Sequence, residues 1–193
     1  MSRIEVHPAT ADRFDDVAAL LAPRRADAPA CWCLTYRVGN AENSALRAED
    51  RPARLREFCE QDPPPAVLAY VDGEPAGWCS FGARDELPRL ARSRVIPRLD
   101  DVPVWSVFCL VVRAGHRGQG LAAWMVEEVV TLASARGVPA LEAYPVDPQG
   151  QRISASLAFV GTTSLFERAG FTRVAPTTST SAGLTRWVMR RDL

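Results

Sequence analysis

Residues 107–122 read Val-Phe-Cys-Leu-Val-Val-Arg-Ala-Gly-His-Arg-Gly-Gln-Gly-Leu-Ala. The first six are apolar and rich in β-branched side chains, the composition of a buried strand. A turn with two arginines, a histidine and three glycines follows, and a long amphipathic pattern starts at once after it. A strand that feeds a glycine-rich loop opening a helix is built to hold phosphate. Free backbone N–H groups and the positive end of the helix dipole converge on an anion there. Glycine lets the backbone approach the ligand with no Cβ in the way.

Several phosphate-bearing guests compete for such a loop. Gly118-x-Gly120-x-x-Ala123 fits a dinucleotide fingerprint, and Glu142 stands about 22 residues beyond Gly120, near the place of a ribose-binding acid. Against it, that fingerprint starts tight on the strand end, whereas Arg113–Arg117 intervenes here. The doubly wound fold also needs several βαβ units, and the chain offers one. A Walker-type loop fails because its Gly-Lys-Ser/Thr is missing. All 23 basic residues are arginine, so lysine is excluded as base, Schiff-base former or phosphate ligand, and anions fall to arginine and backbone.

The elements that must position the loop follow from periodicity. Ile4–His7 reads as a strand, about 12–21 as a helix, 22–50 as a loop containing the Cys31–Tyr36 cluster, and Arg51–Glu60 as a helix stopped by Pro63-Pro-Pro65. Ala66–Val71 and Ala76–Phe81 flank Asp72-Gly73, a hairpin signal. A surface loop or short helix over 82–103 leads to the central strand Val104–Val112. Gly120–Arg136 carries Leu121, Met125, Val129 and Leu132/Ala133 at helical spacing, with Gly137 and Pro139 to end it. Leu141–Tyr144 is the next strand, parallel to the first through a right-handed crossover. A loop over 145–161, a short helix over Thr162–Ala169, a strand from Phe171, a Ser/Thr-rich turn at Thr177–Ala182 and a last strand Arg186–Arg190 complete the chain.

The expectation is therefore one domain over residues 1–193 of the α/β (mixed α+β) class: a twisted mixed sheet of six to seven strands, a central βαβ unit and flanking helices. The formal net charge of zero points to neither nucleic acid nor membrane surface as a partner. No secretory signal or membrane span is read, so the expected location is cytoplasmic. Five cysteines (31, 33, 59, 79 and 109) give an odd count that argues against a disulfide framework. Cys31-Trp-Cys33 has no partner pair at zinc spacing, so no metal is expected.

Arg117-Gly-Gln-Gly-Leu-Ala122 fits R/Q-x-x-G-x-G/A, and Leu165-Phe-Glu-Arg-Ala-Gly-Phe171 fits a block written L-Y-E-x-x-G-F about 50 residues later. Together with the element order, these motifs resemble the GNAT superfamily of acyl-CoA-dependent N-acyltransferases over nearly the whole chain. The resemblance implies acetyl-CoA as cosubstrate, with its pantetheine arm in a wedge where the two parallel strands splay. On this chain the wedge strand supplies backbone from Leu110, Val111 and Val112. The pyrophosphate falls to Arg117, Gly118, Gln119, Gly120, Leu121 and Ala122. His116 then serves loop support or phosphate rather than catalysis. The implied reaction is direct attack of an amine on the thioester within a ternary complex, with a small-molecule or peptide amine as acceptor and a monomer or homodimer as the working form. The alternative is a non-catalytic CoA-binding regulatory domain.

The amine must lose a proton to attack. A lysine-like amine costs about 4–5 kcal/mol to deprotonate at pH 7, so a base is expected unless the amine is weakly basic. By strand parity Glu142 and Tyr144 share a face beside the splay, with Asp147 just beyond. Ser106 or Cys109 are candidates to hold a relay water, and a backbone N–H near Val111 to stabilise the oxyanion. Cys109 as covalent nucleophile is disfavoured by an apolar strand environment, which raises a thiol pKa. The related block often carries a tyrosine that protonates the leaving thiolate. Phe166 stands there instead, which leaves that role to Tyr144, to water or to no group. The acceptor site is expected from the three long loops. Trp32, Tyr36, Trp78, Phe81 and Trp105 are candidate lining residues or core, and Asp85, Glu86, Asp100 and Asp101 are candidate attractors of a cationic amine or solvated charges.

Overall fold

Asp72 and Gly73 both adopt positive φ, 52° and 85°, the backbone of a type I′ turn. They join β2 (Ala66–Val71) to β3 (Glu74–Ala83) as an antiparallel hairpin. The sheet grows outward from this hairpin in the computed structural model, which describes residues 2–193 except 24, 26, 27, 29, 155–157 and 182. On one side β1 (Ile4–Pro8) pairs antiparallel with β2. On the other, β4 (Trp105–Val112) pairs antiparallel with β3, and β5 (Ala140–Ala143) joins β4 in parallel. Then β6 (Thr172–Ser181) and β7 (Leu184–Asp192) form a hairpin whose second strand lies against β5, giving the order β1-β2-β3-β4-β5-β7-β6. This is the expected mixed sheet, with a single parallel pair among its described strands. The doubly wound alternative, which requires several such pairs, is thereby removed.

Helices α1 (Phe14–Leu21), α2 (Asn40–Ala45) and α3 (Arg51–Cys59) precede β2 in sequence. The short α4 (Pro88–Ala91) follows β3, α5 (Leu121–Ala135) connects β4 to β5, and α6 (Thr163–Arg168) precedes β6. The crossover helix ends as its sequence requires. Gly137 takes φ 68°, its N–H bonds Ser134 O, and the Val138 N–H returns to Ala133 O, the paired bonds of a Schellman motif.

Strand alternation divides the core. Val67, Ala69, Cys79, Val107 and Leu141 face α5 and α6, where Met125, Val129 and Phe166 meet them. Each such fully buried apolar side chain contributes about 1.5–3 kcal/mol, so tertiary packing rather than propensity holds α5. Gly77 sets the helix-to-sheet distance, because a Cβ there would lie 2.9 Å from Met125 Sδ. The opposite face carries Leu68, Tyr70 and Trp78 against Val17, Leu34 and Leu55. A third cluster around Leu90, Ile96, Phe108 and Tyr144 closes that face near β5.

Two expectations change. The 22–50 segment holds α2, while the 82–103 segment holds α4, the short helix that is one of its two expected forms. Thr177–Ser181 is not a turn but the far end of β6. Its β-branched threonines suit an extended edge, register breaks absorb the irregular sequence, and Thr177 Oγ1 donates to Arg186 O at 2.9 Å.

Candidate active site

The ladder between β4 and β5 is short. Trp105, Ser106 and Val107 pair with Leu141, Glu142 and Ala143, and beyond them the strands part. Two local causes act together. Register shifts between Ser80–Cys109 and Phe81–Val107, which leaves Phe108 as an extra residue that bends β4. On β5, Pro145 follows Tyr144 and has no N–H to give a ladder. The Arg113 N–H bonds Ala76 O at 2.9 Å. Bonded and non-bonded pairs alternate in an antiparallel ladder, so Leu110 and Val112 turn their backbone groups away from β3 into the opening. The same alternation directs the Val111 N–H itself to β3 and leaves the adjacent Leu110 N–H facing the opening.

A cavity of about 570 Å³ fills the split, lined by Leu110–Val112, Arg117, Ala122, Arg152 and Leu165 among others. At its mouth the glycine loop turns into α5. Gly118 and Gly120 have φ of 75° and 81°, values that side-chain-bearing residues rarely adopt. Gly120 is the N-cap of α5. Among the described residues, the successive N–H groups of Gly118, Gln119, Gly120, Leu121 and Ala122 have no backbone or side-chain acceptor. Five unspent donors at the positive end of a helix form an anion cradle. Arg117 Nε donates to Val112 O at 3.1 Å, and Gln119 Nε2 donates to Gly115 O at 3.2 Å, which braces the loop. Arg113 leaves the loop altogether to donate to Ala19 O.

The far wall of this cavity was less legible. Gly161, at φ 77°, lies so close to its neighbours that a Cβ would be 2.5 Å from Phe166 Cε2 and 3.1 Å from Leu110 Cδ1. Thr162 then caps α6 by accepting the Leu165 N–H. Arg152, Phe159 and Gly161 line the cavity without any motif to announce them; the signal available was a glycine directly before a threonine N-cap. Phe166 is fully buried and meets Phe171 edge-on at 5.1 Å. It belongs to the core and does not line the cavity.

A second cavity, about 890 Å³, opens on the opposite side of β4. The end of α1, the 30–36 segment and the 89–96 segment wall it, with Phe108 and Cys109 at the strand. Val111 and Phe159 line both cavities, so the two spaces meet across one strand width. Of the five candidate aromatic residues, Trp32 and Tyr36 line this cavity. Trp78 is fully buried, and Phe81 stacks on Trp105 at 5.3 Å in the core beneath α5. None of the four candidate carboxylates lines this cavity; Asp85 pairs with Arg98, and Asp100 with Arg190.

Glu142 and Tyr144 do share a face, but they flank Ala143, the last residue of the ladder, and line neither cavity. Both are 1% exposed. The Tyr144 hydroxyl donates to Glu142 Oε2 at 2.9 Å, accepts from Arg84 Nη1 at 2.8 Å and lies 2.8 Å from Ser106 Oγ. Arg190 Nη2 reaches Glu142 Oε1 at 2.7 Å and also grips Asp100, whose carboxyl it holds below the ordinary value. Burial, then the Glu142 charge, pushes the Tyr144 phenol up. Arg84 continues to Ile96 O at 3.1 Å. The network thus pins the 84–100 segment, a wall of the second cavity, to β5. Asp147 is likewise engaged, by Arg173 at 2.8 Å.

Cys109 is half-buried and lines the second cavity, with its Sγ 2.8 Å from Cys33 Sγ. The Cys109 hydrogen bond first, and burial second, pushes the Cys33 thiol well above its ordinary value. Cys31 turns instead to Thr35 Oγ1. Among the described residues no three His, Cys, Asp or Glu side chains gather as metal ligands, and no helix is long and apolar enough to cross a membrane.

Residues 35–158 match the acetyltransferase (GNAT) family. No curated protein sequence matches the chain. Solved structures with the same fold include a mosquito arylalkylamine N-acetyltransferase-like protein (TM-score 0.62, 14% identity, covering 99% of this chain and 100% of that one). A Drosophila melanogaster polyamine N-acetyltransferase is similar at TM-score 0.61 and 15% identity, over 99% of this chain and 100% of that one. An N-acetyltransferase from Thermoplasma acidophilum, solved with coenzyme A, is similar at TM-score 0.56 and 12% identity, over 99% of both chains. With the split strands, the unspent N–H cradle and the family match in agreement, the chain belongs to the GNAT family and is an acetyl-CoA-dependent N-acetyltransferase.

Proposed function

We propose that acetyl-CoA lies in the smaller cavity, with its pyrophosphate on the N–H groups of Gly118–Ala122 and its pantetheine arm along Leu110 and Val112. The acceptor amine enters through the larger cavity. The observation that carries this reading is that Val111 and Phe159 are common to both cavities. Thioester and amine then converge on one strand from opposite sides, and proximity supplies much of the rate.

In the reaction the amine nitrogen bonds the acetyl carbon as the carbon–sulfur bond breaks. The thiolate leaves, and one proton leaves the nitrogen. The Leu110 N–H polarises the acetyl carbonyl. Among the described residues neither a carboxylate nor an imidazole lines the acceptor cavity, so water takes the amine proton. Glu142 and Tyr144 act as positioning residues that fix the cavity wall, and Cys109 forms part of that wall without a covalent role.

Thermal unfolding with and without acetyl-CoA tests the cofactor placement, because a ligand of the native state raises Tm. Acetyl-CoA is expected to stabilise the wild type and to leave Gly120→Val unmoved, since a β-branched residue resists φ near 81°. Equal shifts in both proteins would remove the loop from the binding site.

A further inference from the structure

The acceptor cavity has a chemical character of its own. Its volume, about 890 Å³, is that of a site for a drug-sized molecule. Leu20, Trp32, Ile96, Phe108 and Phe159 make its walls apolar and partly aromatic. The charged side chains that line it, among the described residues, are Arg89 and Arg94. Neither guanidinium has a carboxylate or hydrogen-bond partner among the described residues, although nearby acids exist: Asp85 is taken by Arg98, and Asp100 by Arg190.

The segment that carries these two arginines is held in place. Leu90 and Ile96 are buried, the Ile96 N–H bonds Ser93 Oγ at 3.0 Å, and Arg84 holds Ile96 O. Two cations on a fixed wall repel a polycation and favour an anionic group, for which the guanidinium fork offers paired donors. They also favour the neutral form of an incoming amine, because a like charge nearby disfavours protonation. A cavity wall with no carboxylate or imidazole serves such an amine better than a strongly basic one.

We infer that the acceptor is an apolar, preferably aromatic, amine that also carries a carboxylate, and that Arg89 and Arg94 recognise the carboxylate. This deepens the proposed function and rests on its placement of the amine in the larger cavity. The matched probes are phenylalanine against phenethylamine and 4-(aminomethyl)benzoate against benzylamine, with spermidine as the polycation. Binding to the enzyme–CoA complex is measured by calorimetry, and turnover by release of the CoA thiol.

At least one carboxylate-bearing probe is expected to exceed its carboxylate-free partner by about two- to fivefold in affinity or kcat/KM, the range of exposed ion pairs. The Arg89→Gln/Arg94→Gln variant is expected to close that gap while keeping the acetyl-CoA thermal shift. Carboxylate-free partners that match or exceed the carboxylates, a preference for spermidine, absence of binding by all probes, or a gap that survives in the double variant would each overturn the inference. A wild type that acetyl-CoA does not stabilise would instead overturn the cofactor placement, and this inference with it.

Discussion

The Tyr144 hydroxyl donates to Glu142 Oε2 across 2.9 Å in a part of the sheet where both residues are almost wholly shielded from solvent. This pair joins two arginines of different origin. Arg190 comes from the last strand and Arg84 from the start of the β3–β4 connection. The carboxylate therefore ties the sheet to a cavity wall, and it lines neither cavity; in the proposed function it positions that wall.

Glu142→Gln should act on stability before chemistry. Removing one partner of a buried pair costs about 3 kcal/mol, here partly offset because Arg190 keeps Asp100. The denaturant midpoint should fall, while the pH dependence of kcat should keep its shape. A variant with wild-type stability and intact acetyl-CoA binding but no turnover would return Glu142 to the role of base.

Gly161 has a role that only packing reveals. A methyl group there would meet Phe166 at 2.5 Å and Leu110 at 3.1 Å, and both neighbours are buried. Gly161→Ala should cost about 1–3 kcal/mol through overpacking, with added strain at φ 77°. Because Leu110 lies on the proposed cofactor edge, affinity for acetyl-CoA should fall as well. Unchanged affinity by calorimetry would show that the wall tolerates movement.

Cys109→Ala should leave turnover within a few-fold of wild type. Incubating the wild type with acetyl-CoA and no acceptor should give no acetylated protein by intact mass, because the reaction needs no covalent intermediate. A stoichiometric adduct that disappears in Cys109→Ala would establish a two-step mechanism.

Periodicity and motifs made the proposed cofactor half legible. The loop from Arg117 to Ala122 and the strand before it are contiguous in sequence, and glycine at positive φ leaves a recognisable trace. The acceptor half draws on α1, the 30–36 segment, the 89–96 segment, β4 and Phe159, which have no common spacing. Glu142 illustrates the limit. Parity placed it on the correct face, but parity does not say where a ladder ends, and the ladder ends one residue after it. The bulge at Phe108 does similar work on β4, where two consecutive residues, Phe108 and Cys109, both reach the second cavity.

Alkaline pH should weaken the fold above about pH 9. Burial pushes the Cys59 thiol from 9.0 to about 11 and raises Cys79 further. Burial, with the hydrogen bond to Asp16, pushes the Tyr70 phenol from 10.0 to about 12. In each case the unfolded chain releases its proton at a lower pH than the folded one. The stability these groups contribute is full below pH 9 and is lost as pH rises through the folded values. For Cys59 the full loss is about 2–3 kcal/mol. Arg37 acts in the opposite sense. Burial lowers it from 12.5 to about 10, so its contribution rises with pH, but only above pH 10. Between pH 9 and 10 the thiols act first. Urea midpoints measured at pH 7, 8, 9 and 10 should be level to about pH 9 and then decline. A midpoint unchanged to pH 10 would mean that Cys59 and Cys79 are open to solvent and that the packing of α3 against the sheet is looser than described.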